Sequence, residues 1–176
     1  MKRPLPADLA AARLRTLDDV IAPGLKVLFV GINPGLWSGA MGFHFARPGN
    51  RFWKAIHMAG LTPLLLTPDR QRDLLEYGIG ITNLVNRTTA VASELTDDEL
   101  RSGARALEAK IRLFQPRKTA FLGLSAYRVA FQHPRASVGR QAESVGGSEV
   151  WVLPNPSGLN AHYQLADLAR AYAALK

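Results

Sequence analysis

An amide, an aromatic ring and two arginines follow one short apolar segment near the N-terminus. Asn33 lies in the turn GINPG, where the flanking glycines let the backbone bend sharply and Pro34 fixes its own φ and lacks an N–H. Phe45 follows in GFHF, and Arg47 and Arg51 lie in the basic segment RPGNR. An amide held on a stiff turn, a ring that can stack and nearby cations predict a pocket for a flat ligand that is anionic at one end.

A second polar turn, NPSGLN, lies near the C-terminus at residues 155–160. Each of the two turns follows an apolar segment typical of a buried strand, VLFV at 27–30 and VWVL at 150–153. Open α/β sheets bind ligands beyond the carboxyl ends of their parallel strands. We therefore expect the two turns to contribute to one site, although either turn alone reads more simply as an ordinary turn.

Strand and helix patterns alternate along the chain. Apolar segments predict strands at 27–30, 78–85, 118–123 and 150–153, and 135–148 reads as a polar loop. Helical spacing and caps predict helices at about 50–60, 67–76, 96–114, from 125 onward and at about 163–175. This alternation predicts an α/β fold, a three-layer sandwich with a central four-stranded parallel sheet flanked by helices. Residues 1–18 form an N-terminal lead-in, with a short helix after Pro6, and 19–176 form a single domain.

The composition restricts the class of protein. The chain carries 22 Lys and Arg against 14 Asp and Glu in 176 residues, a formal net charge of +8, which favours a polyanionic partner. The absence of cysteine excludes disulfides, thiolate zinc sites, iron–sulfur clusters and cysteine nucleophiles. No apolar run is long enough to cross a bilayer, and the N-terminus lacks the apolar core of a signal peptide. We expect a soluble cytoplasmic protein.

Motifs for nucleotides and metals are missing from the sequence. Neither G-x-G-x-x-G nor G-x-x-x-x-G-K-[ST] occurs, and the four histidines do not have H-E-x-x-H spacing. We therefore expect neither a metal nor a cofactor.

Four motifs together resemble the mismatch-specific uracil/thymine DNA glycosylases of the uracil-DNA glycosylase superfamily. They are, in order along the chain, GINPGLWSG, GFHFARPGNRFWK, ITNLVNRTT and WVLPNPSGLN, and the likeness runs from about Asp19 to the C-terminus. The resemblance implies the same four-stranded fold and an enzyme that removes uracil from G·U mismatches by hydrolysing the N-glycosidic bond. It also implies a monomer that acts on double-stranded DNA and leaves an abasic site.

The resemblance assigns roles to residues of the first two motifs. Asn33 would bind and aim the attacking water, and Phe45 would stack on the extruded base. Backbone amides beside Ile32 and Phe45 would bond the edge of the base. Gly35 and Ser38 would border the C5 side of the pyrimidine.

The last motif is implied to contact the DNA duplex. Asn155 would help to bind the substrate, and Leu159 would be wedged into the space that the extruded base vacates. The residues expected to contact DNA are Ser157, Gly158, Leu159, Asn160, Arg47 and Arg51.

Two positions depart from the family pattern. Asn86 is expected as a second catalytic residue, but relatives have an acid there, and a neutral amide cannot stabilise an oxocarbenium ion in the same way. Relatives often have Arg where this chain has Ala161, which predicts relaxed selectivity for the base opposite uracil.

The alternative function is a catalytically weak or inactive DNA-binding module with the same fold.

Overall fold

Five strands form one sheet in a computed structural model that describes residues 3–176, except for the side chain of residue 14. The first two residues of the predicted lead-in lie outside the described residues. The strands are β1 (Val27–Gly31), β2 (Ile79–Asn83), β3 (Lys118–Leu122), β4 (Gly139–Val145) and β5 (Ser148–Leu153). Their order across the sheet is β2-β1-β3-β5-β4.

Six α-helices and three 3₁₀ helices connect or flank these strands in the part of the chain that is described. The α-helices are α1 (Pro6–Ala11), α2 (Leu36–Met41), α3 (Phe52–Met58), α4 (Asp97–Phe114), α5 (Leu124–Ala130) and α6 (Leu165–Ala173). The 3₁₀ helices are Ala12–Leu14, Pro68–Tyr77 and Ala92–Glu94.

The sheet is mixed, so the prediction of four parallel strands is wrong in one respect. The four predicted strands are β1, β2, β3 and β5, and they are parallel to one another. The additional strand, β4, pairs antiparallel with β5 and lies within the segment predicted as a polar loop. Its residues are mostly exposed, so it has no apolar run to mark it. Gly146 and Gly147, both at positive φ, form the tight turn between the two strands.

Apolar side chains cover both faces of the sheet, as three layers require. On one face Phe29 and Ile81 pack against α3 and α6. On the other face Leu28 and Val30 pack against α4 and α5. Because successive strand residues point to opposite faces, the continuous run VLFV supplies both cores.

The cap predicted for α4 is present, whereas Thr67, also predicted to cap a helix, makes no side-chain cap bond and precedes the 3₁₀ helix Pro68–Tyr77. Thr96 begins α4, where its hydroxyl accepts from the Glu99 amide and the Glu99 carboxylate accepts from the Thr96 amide, a reciprocal capping box. The short helix predicted after Pro6 is present as α1. Helix α1 contacts α2. The sequence did not predict α2 itself.

Candidate active site

A pocket of about 220 Å³ opens at the carboxyl edge of the sheet. Gly31, Asn83 and Leu122, the last residues of β1, β2 and β3, line it together with Asn155, which follows β5 by two residues. The crossover from β1 leads to β2 on one side, and the next crossover returns past β1 to β3 on its other side. A crevice forms where the strand order reverses in this way. The volume equals that of about seven water molecules in the liquid, enough for one small ring with ordered water.

Asn33 lies in this pocket with its side-chain amide held in one orientation. Its Nδ2 donates to the Arg87 carbonyl at 2.9 Å and to Thr89 Oγ1 at 2.7 Å, and lies 3.2 Å from the Pro34 carbonyl. Carbonyls can only accept, which identifies the atom facing them as the NH₂ group. The amide oxygen therefore points away from these partners and is the acceptor that Asn33 offers to the pocket.

The segment that holds Asn33 is itself anchored at several points. The Thr89 amide donates to the Pro34 carbonyl at 3.1 Å, so the GINPG turn and the segment after β2 are joined through their backbones as well. Arg87 forms an ion pair with Glu99 at the start of α4. The Arg87 guanidinium, together with the Thr96 backbone amide, lowers the pKa of Glu99 to about 2. The ion pair tethers the Arg87 side chain to α4, and the carbonyl of the same residue orients Asn33.

Phe45 lies in the pocket with a left-handed backbone, at φ 52°. Its ring stacks on Phe52, with centroids 4.2 Å apart and planes at 25°. A non-glycine residue in this conformation costs on the order of 1–3 kcal/mol and is found where the surrounding structure imposes it. One ring face is packed against the core while Phe45 also lines the pocket, which suits stacking on a flat ligand.

Two pocket residues, Asn83 and His44, were missed by the sequence reading. Asn83 is 8% exposed and pairs across the sheet with Gly31. Its Nδ2 lies 3.4 Å from His44 Nδ1, and His44 Nε2 lies 2.9 Å from the Asp18 carbonyl. Burial lowers the pKa of His44, an effect partly offset by this carbonyl and by Asp19. Asn83 had a usable signal, because it is a polar residue that ends a predicted strand.

The residues expected to surround the base have different environments. Ile32, Gly35 and Ser38 all line the pocket. Gly35 is exposed at the start of α2, and Ser38 is buried within α2. The Ser38 hydroxyl accepts from the Ala46 amide at 3.2 Å, which ties α2 to the segment after Phe45.

The loop predicted to contact DNA, residues 155–160, has a defined conformation that exposes Leu159. Leu159 is 72% exposed, beside the mouth of the pocket. Asn155 Oδ1 accepts from the Ser157 amide at 2.9 Å, and Asn160 Nδ2 donates back to the Asn155 carbonyl at 3.0 Å. An apolar side chain presented on a braced turn is suited to enter a duplex.

Arg51, predicted to contact DNA, binds the backbone of this loop. Its guanidinium donates to the carbonyls of Pro156, Ser157, Asn160 and Tyr163. The Arg51 amide also donates to the Pro156 carbonyl at 3.0 Å. Five donors in a rigid fork suit several carbonyls at once. These contacts give Arg51 a role inside the protein, where it ties the start of α3 to the backbone of this loop.

Gly158 touches the loop that contains Arg47. A Cβ on Gly158 would lie 2.8 Å from the Gly49 carbonyl oxygen, so only glycine allows the two loops to approach this closely. Arg47 is exposed and lines the mouth of the pocket, where a phosphate could reach it.

Asn86 is not among the residues that line the pocket with Asn33. It is exposed and borders a neighbouring depression beside α4. Its Oδ1 accepts from the Leu17 amide at 3.1 Å, and Leu17 is buried and lines the pocket. Asn86 therefore holds the lead-in against the pocket wall, and the two predicted catalytic residues lie in separate surroundings.

The pocket is lined by apolar side chains and by the amides of Asn33, Asn50, Asn83 and Asn155. None of its lining residues is acidic. The described residues contain no group of three or more His, Asp or Glu that could hold a metal ion. None of the helices in residues 3–176 has the length and apolar character needed to span a membrane. Two oriented amides and a ring can position a neutral ligand and a water, and the fixed dipoles can stabilise charge that develops in a reaction.

Comparison with known proteins identifies the family and a similar fold. Residues 19–176 match the family model described as "Uracil DNA glycosylase superfamily". A solution NMR structure of a "putative Uracil DNA glycosylase" from Methanosarcina acetivorans has a similar fold, with a TM-score of 0.59 and 20% sequence identity. The match covers 92% of this chain and 97% of that chain. The family match supports a general DNA glycosylase role, and the chain belongs to the uracil DNA glycosylase superfamily.

Proposed function

We propose that this protein is a monofunctional uracil-DNA glycosylase of the mismatch-specific type, with relaxed selectivity for the base opposite uracil. It extrudes uracil from a G·U pair in double-stranded DNA and hydrolyses the N-glycosidic bond, leaving an abasic site. It acts as a monomer and uses neither a metal nor a cofactor. The observation that carries the proposal is the orientation of Asn33, which lines a pocket without acids and whose NH₂ is held by the protein, so that its oxygen remains as the acceptor.

The reaction begins with departure of the base. The bond between C1′ of the sugar and N1 of uracil breaks, and its electron pair leaves with the base as a pyrimidine anion. The oxygen of a water molecule then bonds to C1′, and its proton passes to solvent. Asn33 Oδ1 would accept a hydrogen bond from that water and aim its lone pair at C1′. An amide positions water but is a negligible base, so this chemistry relies on a weak nucleophile meeting an oxocarbenium-like sugar.

The base would lie between Phe45 and the ends of the strands. Phe45 would stack on its face, and the Asn83 amide, which lines the pocket, would bond the base edge. Backbone amides beside Ile32 and Phe45 would stabilise the anion, since fixed donors in a site closed to water stabilise developing charge strongly. Gly35 and Ser38 would border C5, where the methyl group of thymine must fit.

Extrusion would depend on the loop around Leu159. Leu159 would fill the space left by the base, and Ser157, Gly158 and Asn160 would follow the backbone beside it. Extrusion costs a few kcal/mol, least at a mismatch, which favours G·U over A·U. Arg47 and the net charge of +8 would draw the phosphates to this face.

Single-turnover release of the pyrimidine base from duplexes with one G·U pair, one A·U pair or, as the control without uracil, one G·C pair tests the proposal. We expect fastest release from G·U and none from G·C. Asn33→Ala should lower the rate about 10²–10³-fold, the usual effect of losing one group that acts on the transition state. The affinity of this variant for the duplex should stay within about fivefold of the wild-type affinity, roughly 1 kcal/mol in binding free energy.

A surface amide on the edge strand provides the control. Gln141→Ala should release uracil at the wild-type rate. If the wild-type protein binds the duplex but releases no uracil, the protein is a DNA-binding module and the enzymatic proposal fails. If Asn33→Ala releases uracil at the wild-type rate, Asn33 does not position the water.

A further inference from the structure

Three groups from separate parts of the chain form a buried hydrogen-bonded row beside the pocket. The Asp18 carbonyl lies 2.9 Å from His44 Nε2, and His44 Nδ1 lies 3.4 Å from Asn83 Nδ2. His44 is 2% exposed, and its backbone amide donates to Gln71 Oε1 at 2.8 Å. The imidazole is therefore held through its main chain and both ring nitrogens.

The Asp18 carbonyl decides which ring nitrogen carries the proton. A carbonyl oxygen can only accept, so Nε2 is the N–H of a neutral imidazole and Nδ1 is an acceptor. Burial favours this neutral form by lowering the pKa, against the raising effects of the Asp18 carbonyl and the Asp19 carboxylate; Lys110, paired with Asp19, lowers it further. An acceptor at Nδ1 requires the NH₂ group of Asn83 to face it.

The oxygen of Asn83 is thereby directed to the opposite side. A Cβ built on Gly31 would lie 2.6 Å from Asn83 Oδ1 and 3.4 Å from the edge of the Phe45 ring. The oxygen thus lies above Gly31, beside the ring, and all three residues line the pocket. One hydrogen of the NH₂ group remains for a second contact.

The two orientations of an amide match different bases. Uracil presents N3–H, a donor, between two carbonyl oxygens, whereas cytosine presents N3 as an acceptor beside an amino donor. Oδ1 facing the base pairs with N3–H of uracil and opposes the lone pair of cytosine N3. The reverse orientation would favour cytosine.

We infer that His44 is a positioning residue that fixes the amide of Asn83 and so makes the pocket accept uracil and reject cytosine. This inference rests on the proposed function, because it requires a pyrimidine in the pocket. His44 acts through Asn83 and does not itself touch the base.

The test compares release of uracil and of cytosine, each placed opposite an abasic-site analogue so that neither is paired. His44→Leu removes the acceptor and leaves the Asn83 amide free to turn. We expect the ratio of uracil to cytosine release to fall about 10-fold or more, in line with loss of one two-point base contact. His44→Gln, which keeps a polar group that can bond Asn83, should recover part of the ratio.

A double-mutant cycle separates this role from a general effect on packing. In an Asn83→Ala background, His44→Leu should not change the ratio further, because the residue through which it acts is gone. His57→Leu, which removes a histidine that contacts a carbonyl elsewhere, is the matched control and should leave the ratio unchanged. An unchanged ratio in His44→Leu, or a further fall in the Asn83→Ala background, would overturn the inference.

The tautomer can be measured on the wild-type protein, which guards against variants that do not fold. Two-bond ¹H–¹⁵N spectra should show His44 protonated at Nε2 and unprotonated at Nδ1 at neutral pH. A proton at Nδ1 would overturn the inference. Absence of uracil release by the wild-type protein would instead overturn the proposed function, so the two failures are distinguishable.

Discussion

The Thr89 hydroxyl lies 2.7 Å from Asn33 Nδ2 and 2.8 Å from the Val91 carbonyl. The carbonyl can only accept, so the hydroxyl donates to it and accepts from Asn33. This row of two hydrogen bonds fixes the direction in which Asn33 presents its oxygen. The catalytic candidate is therefore oriented by a residue more than fifty positions away in the sequence.

Replacing Thr89 should impair catalysis more than binding. Thr89→Val keeps the shape but removes the acceptor for Asn33, and we expect a fall in single-turnover rate of about 10-fold, with unchanged duplex affinity. Thr89→Ser should keep most of the rate. The matched control is Thr88→Val, since Thr88 is as buried but donates to the Arg15 carbonyl instead. Equal rates for the two valine variants would mean that Thr89 does not orient Asn33.

Arg51 and Arg47 should differ in their effect on DNA binding. Arg51→Lys loses the fork that joins four carbonyls, so we expect faster amide hydrogen exchange in residues 156–163 and slower uracil release. The slope of log K against log [salt] should stay the same. Arg47→Gln should reduce that slope by about 0.9, the value for one phosphate contact. A smaller salt slope in Arg51→Lys would show that Arg51 also neutralises a phosphate.

Local sequence predicted the elements whose signal lies in neighbouring residues. The four apolar strands are buried on both faces, so their composition alone identified them. β4 was missed because an exposed edge strand has no such run, although Gly146-Gly147 carried a hairpin signal. Asn33 and Phe45, which both line the pocket, were predicted from one turn and one loop. The contacts of His44 with Asn83 and of Arg51 with the 156–163 carbonyls join segments far apart in the chain, and only the folded sheet brings them together.

The burial of His44 predicts a stability that depends on pH. Its folded-state pKa is below the ordinary value of 6.5, so below that pH the unfolded chain binds more protons than the native protein. The free energy of unfolding should therefore fall as pH is lowered through 6.5. Urea unfolding at several pH values measures this, and His44→Gln should have a smaller decrease. An identical decrease in both proteins would assign the effect to other groups.

Asn86→Asp tests whether position 86 takes part in the chemistry. Its acceptor bond to the Leu17 amide is kept by a carboxylate, and the added charge is exposed and lies outside the pocket that holds Asn33. We expect a single-turnover rate within about threefold of wild type, whereas Asn86→Ala should lower the free energy of unfolding by about 1 kcal/mol through loss of the bond. A rate increase of 10-fold or more in Asn86→Asp would instead indicate that the carboxylate stabilises an oxocarbenium-like sugar.

Ala161 lies exposed two residues after Leu159, where the wedge would meet the base left without a partner. A guanine edge is best read by the two donors of an arginine, and alanine offers none from its side chain. We therefore expect uracil to be released from A·U pairs and single strands as well as from G·U, with an advantage for the mismatch because it opens more easily. Ala161→Arg should increase the ratio of G·U to A·U release, measured in single turnover on duplexes that differ only in the opposite base. If the wild-type chain cleaves only G·U and the variant behaves in the same way, selectivity is set elsewhere, and the ease of opening the mismatch is the simplest remaining source.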